Sequence, residues 1–324
     1  MFGICMLHSV SQGSASDVGS KICASMLLAC VSGFVFISGW FGIRFKLSKL
    51  FGVYGVGAFS AFITTCLFYY HNPVVCGGLF WRFGYTFKDY WFLNAYALLM
   101  LMSPLLNLAL RSIRNKEGFA AVSLAVICVV GWSFVSQLPV LRSWLPTSAG
   151  LQNYSGFMFM GIYLIAGVWR EFDFARHVGC GVFCCLIAIT AIYPLSLGAY
   201  SSPFSIAVAG MAFCLCKRLV LPAWGERICS FISPSLFSIY LIHTNQFGFE
   251  ILCRLRTYLA EDYCPYPLAC FITGVVVFAI CLAIDMIRRI LVFPCQGLIK
   301  RLTNVTDEFF DLCLEKLFRK IVND

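Results

Sequence analysis

The segment Tyr266-Pro-Leu-Ala-Cys-Phe-Ile-Thr-Gly-Val-Val-Val-Phe-Ala-Ile-Cys-Leu-Ala-Ile-Asp285-Met-Ile287 decides the fold class of this chain. It contains a single charged side chain, and an apolar helix of about 20 residues is long enough to cross the hydrocarbon core of a bilayer. Further apolar runs of this kind lie at residues 24–43, 50–70, 91–110, 118–138, 155–170, 177–198, 202–216 and 235–252. The repetition predicts an all-α fold, a polytopic membrane helix bundle.

The composition supports a membrane protein and argues against a water-soluble domain. Of all residues, 60% are hydrophobic and only 12% are charged, and the mean hydropathy is +0.84. Soluble domains carry about 25% charged residues. The net charge of +9 does not imply a nucleic acid partner, because basic residues of membrane proteins collect on the cytoplasmic side.

The 18 cysteines do not indicate a metal or redox site. They are spread along the apolar runs, they form no C-x-x-C pair, and the closest groupings lack histidines at the spacing of metal ligands. Thiols in such surroundings behave as small apolar groups. We therefore expect no metal centre.

The positions of the basic residues predict the orientation in the membrane. If a short first helix at residues 1–10 runs outward, every inner connection is basic: Arg44/Lys46/Lys49, Arg111/Arg114/Lys116, Arg170/Arg176, Lys217/Arg218/Arg227 and the residues from Arg288 onward. This alternation predicts about ten membrane segments. Ten residues rise only about 15 Å, so the first helix is expected to be truncated or re-entrant. We divide the chain into a membrane domain, 1–290, and a cytoplasmic amphipathic tail, 291–324.

Two histidines lie in apolar surroundings, at the end of Phe2-Gly-Ile-Cys-Met-Leu-His8 and inside the run that contains Ser238-Ile-Tyr-Leu-Ile-His243. Titratable residues are costly in hydrocarbon and usually face a cavity or a partner. Imidazole is also suited to proton transfer near neutral pH. The two histidines are therefore candidate catalytic residues, with Asn245 as a polar neighbour in the same cavity. The alternative is that each histidine is a packing residue satisfied by its own helix.

A cluster of cations follows the apolar helix that ends in Ser38-Gly39. Arg44, Lys46 and Lys49 fall within six residues, and such a cluster can hold phosphate groups. The alternative interpretation is ordinary positive-inside topology. Asn94, at a helix start among aromatic residues, is a further candidate for a polar cavity.

Several segments together resemble one family, the acyltransferase 3 family. They are His8 in the first helix, Phe36-Ile-Ser-Gly39-Trp40, Trp91-Phe-Leu-Asn-Ala-Tyr96 with Ser103-Pro104-Leu-Leu-Asn107, Gly161-Ile-Tyr-Leu-Ile-Ala-Gly167 and Ser238-Ile-Tyr-Leu-Ile-His243. The resemblance covers about residues 1–290. It implies a membrane-bound O-acyltransferase of about ten helices that modifies surface polysaccharide, lipopolysaccharide or a related glycan.

The resemblance also implies roles for the candidate residues. His8 matches the catalytic histidine of the family. As a hypothesis of our own, His243 stabilises or orients the reacting groups from a facing helix. Arg44, Lys46 and Lys49, with Ser38, would hold acyl-CoA, which is a co-substrate, with no bound cofactor. The expected reaction moves an acyl group, with acetyl favoured, to a hydroxyl of a surface glycan or of its lipid-linked precursor. The expected partners are acyl-CoA, the glycan or glycolipid acceptor and membrane lipids, in a bacterial inner (plasma) membrane.

Two alternatives stay open. In a transporter or flippase for a glycan or lipid precursor, the histidines would relay protons or contact substrate. Such proteins often contain paired halves, and we find no internal symmetry in this sequence. The other alternative is a catalytically inactive relative, because family members have a fuller first helix with an arginine shortly before the histidine.

Overall fold

Apolar residues fill whole segments of this chain without the alternation that a half-buried strand requires, and in the computed structural model these segments are helices. The structure describes residues 1–11, 18–71, 83–84, 90–132, 156–177, 179–192, 202–295, 297, 299, 301–309 and 312, and within these residues there is no β-strand. The predicted all-α class is therefore confirmed for the described part of the chain. The helices, in chain order, are α1 (Phe2–Ser11), α2 (Val18–Phe41), α3 (Leu47–His71), α4 (Trp91–Ser112), α5 (Lys116–Val126), α6 (Gly156–Glu171), α7 (Cys180–Ile192), α8 (Pro203–Cys216), α9 (Ala223–Ile232), α10 (Leu236–His243), α11 (Gln246–Asp262) and α12 (Tyr266–Val292).

Three of the described helices are long and apolar enough to cross a membrane: Leu47–Tyr70 in α3, Trp91–Ser112 and Tyr266–Val292. Shorter apolar helices lie at Met26–Phe41, Cys180–Ile189 and Pro203–Cys216. The count of about ten spans stays a prediction. Parts of three predicted spans, residues 133–138, 155, 178 and 193–198, lie outside the described residues.

The predicted span 235–252 is wrong as a single helix. α10 ends at His243, and α11 begins at Gln246. The break follows from the side chain of Asn245, which accepts a hydrogen bond from the Gly248 N–H at 2.8 Å and so caps α11. His243 is consequently the last residue of a helix, and it does not lie in the middle of a span.

The central helix is α2, which packs against α1, α6, α7 and α8. At Gly39 an added Cβ would lie 2.6 Å from the carbonyl oxygen of Tyr163 and 2.8 Å from its Cα. Backbone atoms cannot move aside as a flexible side chain can, so only glycine permits α2 and α6 to approach this closely. Gly39, the glycine of the Ser38-Gly39 pair noted in the sequence, therefore has a packing function.

Gly39→Ala is expected to lower the melting temperature of the solubilised protein, because overpacking of a tight contact costs about 1–3 kcal/mol. Gly33→Ala, on the same helix, is the matched control, since the nearest atom to its added Cβ is 3.9 Å away. Thermal unfolding of both variants in one detergent measures the difference. Equal melting temperatures would contradict the close approach at Gly39.

A cluster of aromatic side chains from α2, α4 and α10 lies inside the bundle. Its members, which we call the aromatic cluster, are Phe34, Phe92, Tyr96, Phe237 and Tyr240. The ring centroids of Phe92 and Tyr240 are 4.6 Å apart, and those of Tyr96 and Phe237 are 6.0 Å apart. Both pairs are tilted, and aromatic pairs at such centroid distances contribute stability beyond their buried area.

The two ends of the bundle carry different chemistry. At one end, the histidine end, His8 and His243 meet. At the other, the basic end, Arg44, Arg111 and Arg170 surround a groove. α2, which begins shortly after the end of α1 and ends just before Arg44, has 24 residues and rises about 36 Å, so the two ends are well separated along the bundle. The aromatic cluster lies between them, because Tyr240 contacts His243 and Tyr96 contacts Ser38, near the end of α2.

Part of the tail docks at the basic end through one carboxylate. Residues 301–309 are helical, and the Asp307 carboxylate accepts hydrogen bonds from the Ser48 hydroxyl at 2.6 Å and from the Ser48 N–H at 2.9 Å. These hydrogen bonds lower the pKa of Asp307. Lys46 Nζ lies 3.8 Å from the same carboxylate. The cytoplasmic location of residues 291–324 stays a prediction.

Candidate active site

The structure brings together the two histidines, which are 235 positions apart in the sequence. His8 Nδ1 lies 3.1 Å from His243 Nε2, and the ring centroids are 5.1 Å apart. His243 is completely buried, and His8 is half-buried. The common site that the sequence predicts for these side chains is therefore present in the fold, while their catalytic roles stay predictions.

The hydrogen bonds around this pair assign the tautomers. His243 Nδ1 lies 2.6 Å from the carbonyl oxygen of Ile239, and a carbonyl can only accept, so Nδ1 carries the proton. A neutral His243 then has an unprotonated Nε2, which accepts the Nδ1–H of His8. A neutral His8 is left with a lone pair on Nε2, the atom that a general base needs.

The last turn of α1, which follows His8, is held from three sides. Arg256 donates to the Ser9 carbonyl at 2.8 Å, the Ser9 hydroxyl donates to the Cys270 carbonyl at 3.1 Å, and the Tyr266 hydroxyl donates to the Val10 carbonyl at 3.3 Å. α11 and α12 therefore hold the end of α1 and with it the position of the His8 ring. This arrangement was not predicted from the sequence.

Asn245, a predicted cavity residue, lies two positions after His243 and is 6% exposed. Its amide donates to the Ile242 carbonyl at 2.5 Å, and its side chain and that of Thr64 lie near the buried Tyr90 hydroxyl. Polar side chains from α3, from the residue before α4 and from the α10–α11 break are therefore buried together, two positions after His243 in the chain. Asn94 is exposed on the surface of α4, so we do not retain it as a residue of an enclosed cavity.

The groove at the basic end has two adjoining lobes, of about 420 Å³ and about 490 Å³. Both are lined by Ile43, Arg44, Asn107 and Arg111. The first lobe adds Arg114, Arg170 and Glu171, and the second adds Lys46 and Asp307. Because most of the charged side chains are cations, the groove favours an anionic ligand.

Of the three cations predicted to hold acyl-CoA, two line the groove and one does not. Arg44 lines both lobes and Lys46 lines the second, whereas Lys49 is exposed and lines neither. Ser38 lies deeper, where its hydroxyl donates to the Phe34 carbonyl at 3.2 Å and lies 3.2 Å from the Tyr96 hydroxyl. Both Ser38 and Lys49 are thus outside the lining of the groove.

Three arginines of the groove were missed as site residues: Arg111, Arg114 and Arg170. The sequence pattern places each of them only in a basic connection between predicted helices, and these connections are far apart in the sequence. Arg114 forms an ion pair with Glu171 at 2.5 Å, and Arg170 donates to the Trp40 carbonyl at 2.9 Å. Only the packing of α6 against both α2 and α4 brings the three together.

Comparison with known families supports the resemblance to the acyltransferase 3 family that the sequence shows. A family model described as "Acyltransferase domain", that of the acyltransferase 3 family, matches residues 1–286. Comparisons with curated proteins and with solved structures give no match. The family match covers most of the chain, and three of the described helices have the length and composition of membrane spans. The chain therefore belongs to the acyltransferase 3 family and is an integral membrane acyltransferase.

Proposed function

We propose that this protein is an O-acyltransferase that moves an acyl group from acyl-CoA to a hydroxyl of a surface glycan or of its lipid-linked precursor. Acetyl is the expected acyl group. The observation that carries the proposal is the hydrogen bond between His8 and His243, which leaves Nε2 of a neutral His8 unprotonated. The fully buried position of His243 keeps water away from that side of the pair.

The proposed reaction uses His8 as a general base. Its Nε2 accepts the proton of the acceptor hydroxyl while the oxygen attacks the thioester carbonyl. A carbon–oxygen bond forms, the carbon–sulfur bond breaks, and the proton passes from His8 to the departing thiolate of CoA. His243 accepts the Nδ1–H of His8 throughout, so it orients the ring and stabilises the transient imidazolium.

The groove at the basic end is the proposed site for the phosphates of acyl-CoA. Arginine matches phosphate geometry through its planar set of donors, and Arg44 and Arg111 are cations common to both lobes. Lys46 adds a third positive charge in one lobe. Lys49 and Ser38, the other residues predicted for acyl-CoA, would act from outside the groove.

The separation of the two ends suits a long donor molecule. With the phosphates at the basic end, the pantetheine arm would run along the aromatic cluster toward the histidine pair. Because basic ends of membrane proteins face the cytoplasm, acyl-CoA would enter from the cytoplasm. The glycan or glycolipid would approach from the other side of what we propose is a bacterial inner membrane.

The test is transfer of label from acetyl-labelled acetyl-CoA into cell-surface glycan by membranes that contain the full-length protein. We expect label that mild alkali releases, as an ester requires, together with an equal amount of free CoA thiol. Longer acyl-CoA donors, assayed in parallel, identify the preferred acyl group. A folded protein that releases no CoA and transfers no label would contradict the proposal and favour the transporter or the inactive relative.

A further inference from the structure

We propose that Tyr163 and Asn107 are positioning residues that hold the loop after α2 in the shape that binds acyl-CoA. The proposal rests on the proposed function of the groove and adds two residues to it. Both side chains come from the helices that face this loop, Asn107 from α4 and Tyr163 from α6.

Three hydrogen bonds join these side chains to Ile43 in a closed ring. The Tyr163 hydroxyl accepts from the Ile43 N–H at 2.8 Å and donates to Asn107 Oδ1 at 2.7 Å. Asn107 Nδ2 donates to the Ile43 carbonyl at 2.9 Å. Both backbone groups of one loop residue are thus satisfied by side chains from two different helices.

The ring is needed because the backbone leaves α2 abruptly. Gly42 has φ +76°, the left-handed region in which side chains are strained, and residues 42–46 are not helical. Polar backbone groups in a partly buried loop require partners. The ring supplies them at Ile43, immediately before Arg44, so it fixes the point from which the Arg44 side chain extends.

The position of the loop decides the shape of the groove. Ile43 and Arg44 line both lobes, and so does Asn107, a member of the ring. A loop that is already held in place loses less conformational freedom when phosphate binds, which favours affinity. Loss of the ring would therefore weaken acyl-CoA binding more than it would slow the reaction at the distant histidine pair.

The experiment compares Tyr163→Phe with Tyr258→Phe as the matched control. Each variant removes one hydrogen-bonded tyrosine hydroxyl, but the Tyr258 hydroxyl pairs with that of Tyr263 on the exposed surface of α11 and takes no part in the ring. Binding of CoA to the full-length protein in nanodiscs is measured by calorimetry, and KM and kcat are measured with acetyl-CoA. For Tyr163→Phe we expect roughly tenfold weaker CoA binding and a matching rise in KM, with kcat changed less than about twofold.

The outcomes separate this inference from the proposed function. If wild type binds CoA and Tyr163→Phe binds it equally well, the positioning role is wrong and the acyltransferase proposal stands. A lower kcat with unchanged KM would also overturn the role. If wild type itself neither binds CoA nor transfers acyl groups, the proposed function fails first. Should Tyr163→Phe not survive solubilisation, Asn107→Ala, which removes two of the three hydrogen bonds, is tested in its place with the same expectations.

Discussion

Replacement of His8 by alanine is expected to lower the rate of acyl transfer by roughly 10²–10⁴-fold, the usual contribution of a general base. The variant removes the only group in the proposed mechanism that can take the proton from the acceptor hydroxyl. It leaves the groove at the basic end unchanged, so the affinity for CoA should stay close to that of wild type. The measurement is label transfer from acetyl-CoA at matched amounts of protein in the membrane.

His177→Ala is the control for this experiment. His177 is exposed in the turn between α6 and α7, and its replacement should leave acyl transfer unchanged. Full acyl transfer by a folded His8→Ala protein would contradict the mechanism and would leave the histidine pair with a structural role. Loss of CoA binding in His8→Ala would indicate instead that the variant disturbs the whole bundle.

The double variant Arg44→Gln/Arg111→Gln is expected to raise the KM for acyl-CoA by roughly 100-fold or more. Hydrogen bonds to charged groups contribute about 1.5–3 kcal/mol each, and these two cations line both lobes of the groove. The turnover at saturating donor should change little, because both arginines are far from the histidine pair. Initial rates over a range of acetyl-CoA concentrations separate KM from kcat.

A matched control for the loss of charge is Arg254→Gln. Arg254 pairs with Glu250 on the exposed surface of α11 at the histidine end, so its loss should leave the KM for acyl-CoA unchanged.

The KM of wild type for acyl-CoA should also rise with salt concentration, because ions screen exposed charges. The KM of the double variant should rise less. A fall in kcat at unchanged KM in the double variant would mean that the groove does not bind the donor.

The apolar segments show how much of the fold was readable along the chain. The predicted segment 266–287 became α12, which extends to Val292, and the predicted segment 91–110 became α4. A run this long and apolar has one stable form in a bilayer, a helix whose backbone hydrogen bonds are all internal. The prediction of one helix over 235–252 is wrong because the Asn245 side chain caps a new helix inside this segment. Average hydropathy does not detect such a cap.

The sequence by itself determined the all-α membrane class, and the resemblance of its motifs indicated the family and the residues of the candidate site, including both histidines and Arg44. Composition and short motifs can be read along the chain, because they depend on each residue and its near neighbours. Only the tertiary structure decided that His8 donates to His243, that Arg111 and Arg170 join Arg44, and that Tyr163 and Asn107 hold Ile43. These contacts join positions far apart in the chain, and each depends on how whole helices pack, which no local pattern encodes.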